Sequence, residues 1–171
     1  MVCIYTYHYN YTVDKKGSMI EHKEVYSFSQ IPIIEHSLVV LDIDDTLLTF
    51  NGYNYWNPIK LDEIHLDRFI ENCLKLHCIL IVLTARPEWA LKHTMRDLKK
   101  IGLNIQSKDV YFSEKKGDKL FEIVNLHYPT IQNILFVDDR LYNLLDVELV
   151  FQTLPHSYDL HLFLMNHLLI S

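Results

Sequence analysis

Short, almost entirely apolar runs alternate with longer amphipathic stretches between residues 37 and 151 of the chain. Apolar runs of this length are typical of strands that are buried on both faces, and the stretches between them are typical of helices. The pattern therefore predicts an α/β fold with a mainly parallel sheet that helices cover on both faces. The predicted strands are SLVVLDI, CILIVLT, DVYFS, NILFVDD and VELVF, and the predicted helices span residues 61–76, 87–101 and 117–127. Pro87 suits the first turn of the second helix, and Gly102 suits its end.

Both ends of the chain depart from this alternation. Residues 1–36 begin with tyrosines at every second position from 5 to 11, and the sequence DKKG separates them from a second stretch through Val25 and Tyr26. This pattern predicts an N-terminal β-hairpin extension over residues 1–36. The tyrosine side chains are expected either to pack on the sheet or to form a docking surface. Residues 152–171 contain LHLFLMNHLLI, which predicts a packed apolar helix, either complete or leading into a further region. The tyrosines are Tyr5, Tyr7, Tyr9 and Tyr11.

Composition and charge limit the partners and the cellular compartment that are expected for this chain. The net charge is -6 and the basic residues are scattered, so a nucleic-acid partner is not expected. No apolar run is long enough to span a bilayer, and the N-terminus lacks the pattern of a signal peptide. The three cysteines, Cys3, Cys73 and Cys78, lack metal-ligand spacing and predict reduced thiols in a cytoplasmic protein, the last two in the core.

Polar groups suited to phosphate or magnesium chemistry follow four of the predicted strands. In open parallel sheets, ligands bind beyond the carboxyl ends of the strands, so these groups are expected to converge. The three aspartates of LDIDDT repel one another and resist desolvation unless a cation lies among them, which predicts a bound metal ion. The groups are Asp42 and Asp44 after the first strand, Thr84 and Arg86 after the second, SEKKGDK after the third, and Asp138 and Asp139 after the fourth.

Four motifs follow one another along the chain: an apolar run with DIDDT, an apolar run with threonine, a lysine, and an apolar run with DD. Their order resembles that of the four motifs of the haloacid dehalogenase (HAD) superfamily. The resemblance covers residues 38–151 and implies a HAD-like, Rossmann-like three-layer sandwich that hydrolyses phosphate esters through an aspartyl-phosphate. Asp42 would be the nucleophile, Asp44 the general acid, and Thr84 a ligand of the phosphoryl oxygens. Mg²⁺ would be held by Asp42, the backbone carbonyl of Asp44, and Asp139, with Asp138 and Asn143 in an outer shell.

The lysine of the third motif has three candidates, Lys115, Lys116 and Lys119. Lys116 is favoured because the KG sequence just before a helix resembles the placement in the family, and because a lysine at a helix N-terminus opposes the helix dipole unless an anion is nearby. This lysine would neutralise the transferring phosphoryl group. The sequence leaves all three lysines as alternatives for the role.

The spacing between motifs leaves no room for the cap domains that many HAD enzymes insert, and an open site suits large substrates. The segment FVDDRLYNLLDVE resembles capless magnesium-dependent phosphatases with phosphotyrosine activity. The segment NGYNYW resembles an uncharacterised bacterial branch found largely in intracellular pathogens, which implies an effector secreted into host cytosol. Trp56 would form an aromatic wall for a phosphotyrosine ring with Tyr53 and Tyr55, or would be a core residue, and Arg86 would contact substrate.

Three functions are consistent with these observations. The leading one is a phosphatase that acts on phosphotyrosine in a phosphoprotein or phosphopeptide. The second has the same chemistry on a small metabolite or a nucleotide phosphate. The third is a non-enzymatic binding module that retains the fold. The sequence does not predict an oligomeric state.

Overall fold

The computed structural model describes residues 10–13, 19–51, 56–154 and 158–167 of the chain. Its nine strands are β1 Asn10–Val13, β2 Met19–Val25, β3 Leu38–Leu41, β4 Leu48–Phe50, β5 Pro58–Lys60, β6 Ile79–Thr84, β7 Val110–Phe112, β8 Asn133–Asp138 and β9 Asp159–Met165. Its four α-helices are α1 Glu63–Lys75, α2 Leu91–Lys100, α3 Lys116–His127 and α4 Leu141–Thr153. Short 3₁₀ turns cover Phe28–Gln30, Glu88–Ala90 and Ser107–Asp109.

Seven of these strands form one sheet in the order β1-β2-β9-β8-β3-β6-β7. Strand β1 is antiparallel to β2, and the other six strands run parallel to one another. Strands β4 and β5 form a separate antiparallel ribbon after the LDIDDT sequence. The predicted α/β fold with a mainly parallel sheet is therefore confirmed. None of the helices in the described part of the chain has both the length and the hydropathy needed to cross a bilayer.

A hydrophobic cluster lies on each face of the sheet. Side chains alternate along β3, so that Val39 and Leu41 pack with helices α1 and α2 whereas Leu38 and Val40 pack with α3 and α4. All four of these side chains are fully buried. This two-sided burial explains why the strand is apolar throughout, and each such side chain stabilises the fold by about 1.5–3 kcal/mol.

The three predicted helices are present, with ends within four residues of the predicted ones. Pro87 precedes a 3₁₀ turn that leads into α2, and Gly102 ends the helix with a φ of 84°, a conformation that favours glycine. Cys73 and Cys78 are buried free thiols, as predicted, and Cys3 lies outside the described residues.

Two predictions about the C-terminal part were wrong. The run VELVF is not a strand but lies in helix α4, because Leu144, Val147 and Phe151 are spaced to bury one helical face. The apolar run predicted as a helix in the tail is not helical in its described part, since Asp159–Met165 is strand β9. Strand β9 lies between β2 and β8 and is buried on both faces, and periodicity alone does not distinguish such a strand from a buried helix.

The N-terminal segment is part of the same sheet. Strands β1 and β2 pair antiparallel with Val13 opposite Met19, the arrangement that a hairpin requires. Strand β2 also pairs with β9, so the segment joins the central sheet through the tail of the chain. The predicted DKKG turn, together with Tyr5, Tyr7 and Tyr9, lies outside the described residues.

Candidate active site

The aspartates and the threonine predicted for the site lie at the carboxyl ends of three adjacent strands. Strand β3 pairs with β6 and β8, so Leu41 lies beside Val82 on one side and Val137 on the other. The pairing continues one residue further, because the Asp42 amide donates a hydrogen bond to the Val137 carbonyl at 3.0 Å. Asp42 therefore emerges between the ends of β6 and β8.

A buried ammonium group lies between two buried carboxylates at this edge. The Lys116 side chain is 1% exposed, and its Nζ donates to Asp42 Oδ1 at 2.5 Å and to Asp138 Oδ2 at 2.6 Å. Lys115 is exposed, and Lys119 binds Glu122 on the surface of α3. Of the three candidate lysines, Lys116 is the one whose ammonium reaches Asp42.

Gly117 explains how Lys116 is held in this position. A Cβ atom at residue 117 would lie 2.4 Å from the backbone oxygen of Asp146, which is closer than real Cβ contacts come. The absence of a side chain lets the first turn of α3 pack directly on α4, and the Gly117 amide donates to Asp146 Oδ2 at 2.7 Å. The KG sequence thus combines a charged side chain with a close contact between two helices.

Burial is the main influence on the pKa values of this cluster. It raises the pKa of Asp42 to about 7, with Lys116 opposing the rise and Asp138 adding to it. Burial also lowers the pKa of Lys116, but attraction to Asp42 and Asp138 outweighs this effect, so that its pKa is raised overall. One ammonium therefore serves two carboxylates, which leaves the cluster short of positive charge.

The two aspartates at the end of β8 have different surroundings. Asp138 is fully buried, and its Oδ1 accepts hydrogen bonds at 2.9 Å from the Arg140 amide and from Asn143 Nδ2 at the start of α4. Asp139 is partly exposed and lies 3.6 Å from Arg140 Nε. Burial raises the pKa of Asp139 to about 6, with Asp138 and Asp45 adding to the rise and Arg140 opposing it.

The donor set fits a hard divalent cation. Asp42, Asp138 and Asp139 each offer a carboxylate oxygen, and these oxygens all lie within 4.8 Å of one another. Carboxylate oxygens are the ligands that Mg²⁺ prefers, and burial raises the pKa values of Asp42 and Asp139, so that a bound cation would stabilise their charged forms. The set differs from the predicted ligands in one respect, because Asp138, expected in an outer shell, belongs to the cluster. Asp44, expected to contribute only its backbone carbonyl, has its side chain elsewhere.

Arg86 binds Asp44 with both arms of its guanidinium group. Nε donates to Asp44 Oδ2 at 2.8 Å and Nη2 to Asp44 Oδ1 at 2.6 Å, while Nη1 donates to the buried carboxylate of Asp97 at 3.1 Å. Burial lowers the pKa of Arg86, but Asp44 and Asp97 outweigh this effect and raise it. Arg86 was predicted to contact substrate, and in the structure its donors face protein carboxylates instead. It holds Asp44 in place.

Thr84 is 1% exposed at the end of β6. Its Oγ1 accepts a hydrogen bond from the Arg86 amide at 3.2 Å, as in a turn that a threonine side chain stabilises. The hydroxyl hydrogen can still be donated, so the predicted role as a phosphoryl ligand is compatible with this contact.

An open pocket of about 550 Å³ adjoins Asp44. Trp56 lies at its edge and is 68% exposed, so the interpretation of Trp56 as a core residue is wrong. Tyr53 and Tyr55, its expected partners in an aromatic wall, lie outside the described residues. The pocket is lined by Asp44, Phe50, Trp56, Arg86, Trp89, Ala90, His93, Arg96 and Asp97.

Sequence reasoning missed Asp97 and Trp89. Asp97 is 3% exposed and binds both Arg86 and Arg96. It lies on the same buried face of α2 as Thr94 and Leu98. A charged residue among apolar positions of a helix is the signal that would have indicated a buried ionic partner. Trp89 gave no periodic signal, because it lies in a 3₁₀ turn before α2.

Comparison of the chain with protein-family models, with curated proteins and with solved structures gives no significant match.

Proposed function

We propose that the protein is a Mg²⁺-dependent phosphatase of the HAD type, which hydrolyses phosphate monoesters through an aspartyl-phosphate, with protein phosphotyrosine as the leading substrate. The observation that carries the proposal is the buried Lys116–Asp42 pair at the carboxyl ends of adjacent strands. A carboxylate is a nucleophile for phosphorus only where cations offset the negative charge of the incoming phosphoryl group, and Lys116 is such a cation.

Each step of the proposed reaction has a residue for it. An Asp42 oxygen forms a bond to phosphorus while the bond to the leaving oxygen breaks, and Asp44 gives its proton to that oxygen. Asp44 then takes a proton from water, which attacks the aspartyl-phosphate, releases inorganic phosphate and restores Asp42. Lys116 and the Thr84 hydroxyl bind the phosphoryl oxygens during both steps.

Asp42, Asp138 and Asp139 are the residues that would hold Mg²⁺, together with the predicted backbone carbonyl of Asp44. When bound, the ion would supply further positive charge at the phosphoryl oxygens. The free thiols Cys73 and Cys78 support a reducing compartment, and we propose the cytoplasm of a bacterium or the host cytosol reached by a secreted effector.

The test is a phosphatase assay over phosphotyrosine and phosphoserine peptides, sugar phosphates and nucleotides, with Mg²⁺ and with a chelator. We expect turnover only with Mg²⁺, highest on phosphotyrosine, and none after Asp42→Asn. The matched control is Asp67→Asn, the same change at an exposed position on α1. Preferred turnover of a metabolite or nucleotide would instead support the second function, and no turnover of any ester would support a binding module.

A further inference from the structure

The pocket beside Asp44 contains both tryptophans of the chain. Trp56 is 68% exposed and Trp89 is 82% exposed, and they line the same pocket. Large aromatic side chains are seldom left in water together unless they bind something, because their burial is strongly favourable. The pocket volume of about 550 Å³ lies within the range of small-molecule and side-chain binding sites.

The position of the pocket identifies which part of a substrate enters it. Asp44 lines the pocket, and in the proposed function Asp44 protonates the leaving oxygen. The group attached to that oxygen therefore extends into the pocket, whereas the phosphoryl group lies at Asp42. An aromatic leaving group matches walls formed by two indole rings and Phe50.

The helix that forms one side of the pocket is basic although the whole chain is acidic. Helix α2 carries four basic residues, three of them exposed lysines, and its single acidic residue, Asp97, is buried and paired with Arg86 and Arg96. The Arg96 guanidinium also lies over the Trp56 ring, 5.2 Å from its centre. The basic residues are Lys92, Arg96, Lys99 and Lys100, of which the three lysines are exposed and Arg96 is half-buried, in a chain of net charge -6.

We propose that the pocket binds the phosphotyrosine ring between Trp56 and Trp89, and that the basic side of α2 binds acidic residues next to it, an inference that rests on the proposed function. The substrate class is therefore an acidic phosphotyrosine-containing polypeptide. Charge complementarity selects this occupant, because a lysine-rich segment would be repelled by α2.

Binding is tested with the Asp42→Asn protein, so that the peptide is not hydrolysed. Trp56 and Trp89 are the chain's own reporters, since both line the pocket and their fluorescence changes when a ligand covers them. The probes are three peptides: phosphotyrosine flanked by glutamates, phosphotyrosine flanked by lysines, and phosphoserine flanked by glutamates. We expect the first to bind about tenfold more tightly than either of the others at low salt, and the preference over the second peptide to shrink as salt is added.

Two variants separate the aromatic and the basic contributions. Trp89→Ala removes an exposed ring and should reduce the preference for phosphotyrosine over phosphoserine. The double change Lys92→Gln and Lys99→Gln should reduce the preference for glutamate-flanked over lysine-flanked peptide, and both positions are exposed, so folding is retained. The double change Arg68→Gln and Lys108→Gln, at exposed positions outside the pocket, is the control for loss of two positive charges.

Equal binding of the three peptides, or unchanged preferences in both variants, would overturn the inference. The proposed function is tested separately by turnover of phenyl phosphate in the unmutated chain. Turnover that depends on Asp42 together with equal peptide binding rejects only the pocket assignment. Absence of all turnover rejects the phosphatase and, with it, the assignment of the pocket to a substrate.

Discussion

Replacing Lys116 by methionine removes the ammonium between Asp42 and Asp138 while keeping a side chain of similar length. Both carboxylates are buried, and each loses its contact with Nζ, at 2.5 Å and 2.6 Å respectively. Removing one partner from a buried ion pair destabilises a protein by about 3–5 kcal/mol, because the remaining charge has no compensation. We therefore expect Lys116→Met to lower the free energy of unfolding by about 3 kcal/mol at pH 8 without metal.

The loss should depend on pH in a definite direction. Lys116 opposes the rise in the pKa of Asp42, so the pKa of Asp42 moves above about 7 when the lysine is absent. At pH 6 the variant then carries Asp42 as the neutral acid, and the uncompensated charge on Asp42 is largely removed. The destabilisation measured at pH 6 should accordingly be smaller than at pH 8.

Urea denaturation of the metal-free protein at the two pH values measures both quantities. Lys115→Met is the matched control, because it makes the same substitution at the exposed neighbouring residue. A Lys116→Met protein as stable as the control at pH 8, or equally destabilised at both pH values, would refute the account of a shared ammonium. Phosphatase activity should also be lost in Lys116→Met and kept in the control.

Three further predictions concern the same region. Gly117→Ala should lower the free energy of unfolding by about 2 kcal/mol in urea denaturation, although alanine is favoured over glycine in helices, because its Cβ would meet the Asp146 backbone. The free energy of unfolding of the metal-free protein, measured by thermal denaturation, should rise by about 1 kcal/mol from pH 8 to pH 6, because the pKa of Asp42 in the folded state, about 7, lies above its pKa in the unfolded chain. Mg²⁺ should reduce this dependence on pH. Asp44→Asn should slow turnover and let aspartyl-phosphate accumulate, as measured by acid quenching with labelled substrate, and an unchanged rate would exclude Asp44 as the acid.

The convergence of site residues could be predicted because it follows from strand direction alone. Asp42, Thr84 and Asp138 each end an apolar run, and parallel strands bring such ends to one edge. The preference for Lys116 among three lysines rested on Gly117, and the structure gives the physical reason in the close approach of α3 to α4.

Other features depend on packing that the local pattern does not encode. Strand β9 is seven residues long and buried on both faces, so its composition has no period that separates it from a helix. The contact between Arg86 and Asp97 depends on how α2 is rotated about its axis, because this rotation turns the Asp97 side chain toward the guanidinium. Both features are set by contacts between elements that lie far apart in the sequence.

Two aspartates only two residues apart have environments that suit different roles. Asp42 is buried against Lys116, whereas the Asp44 side chain is 45% exposed and paired with Arg86. Both Asp44 carboxylate oxygens accept hydrogen bonds from Arg86, so in the proposed reaction Asp44 has to leave Arg86 to reach the leaving oxygen. Arg86 would then be a buried cation without a partner if Asp97 did not also bind it. The buried Asp97 therefore lets Asp44 exchange partners while Arg86 keeps a carboxylate beside it.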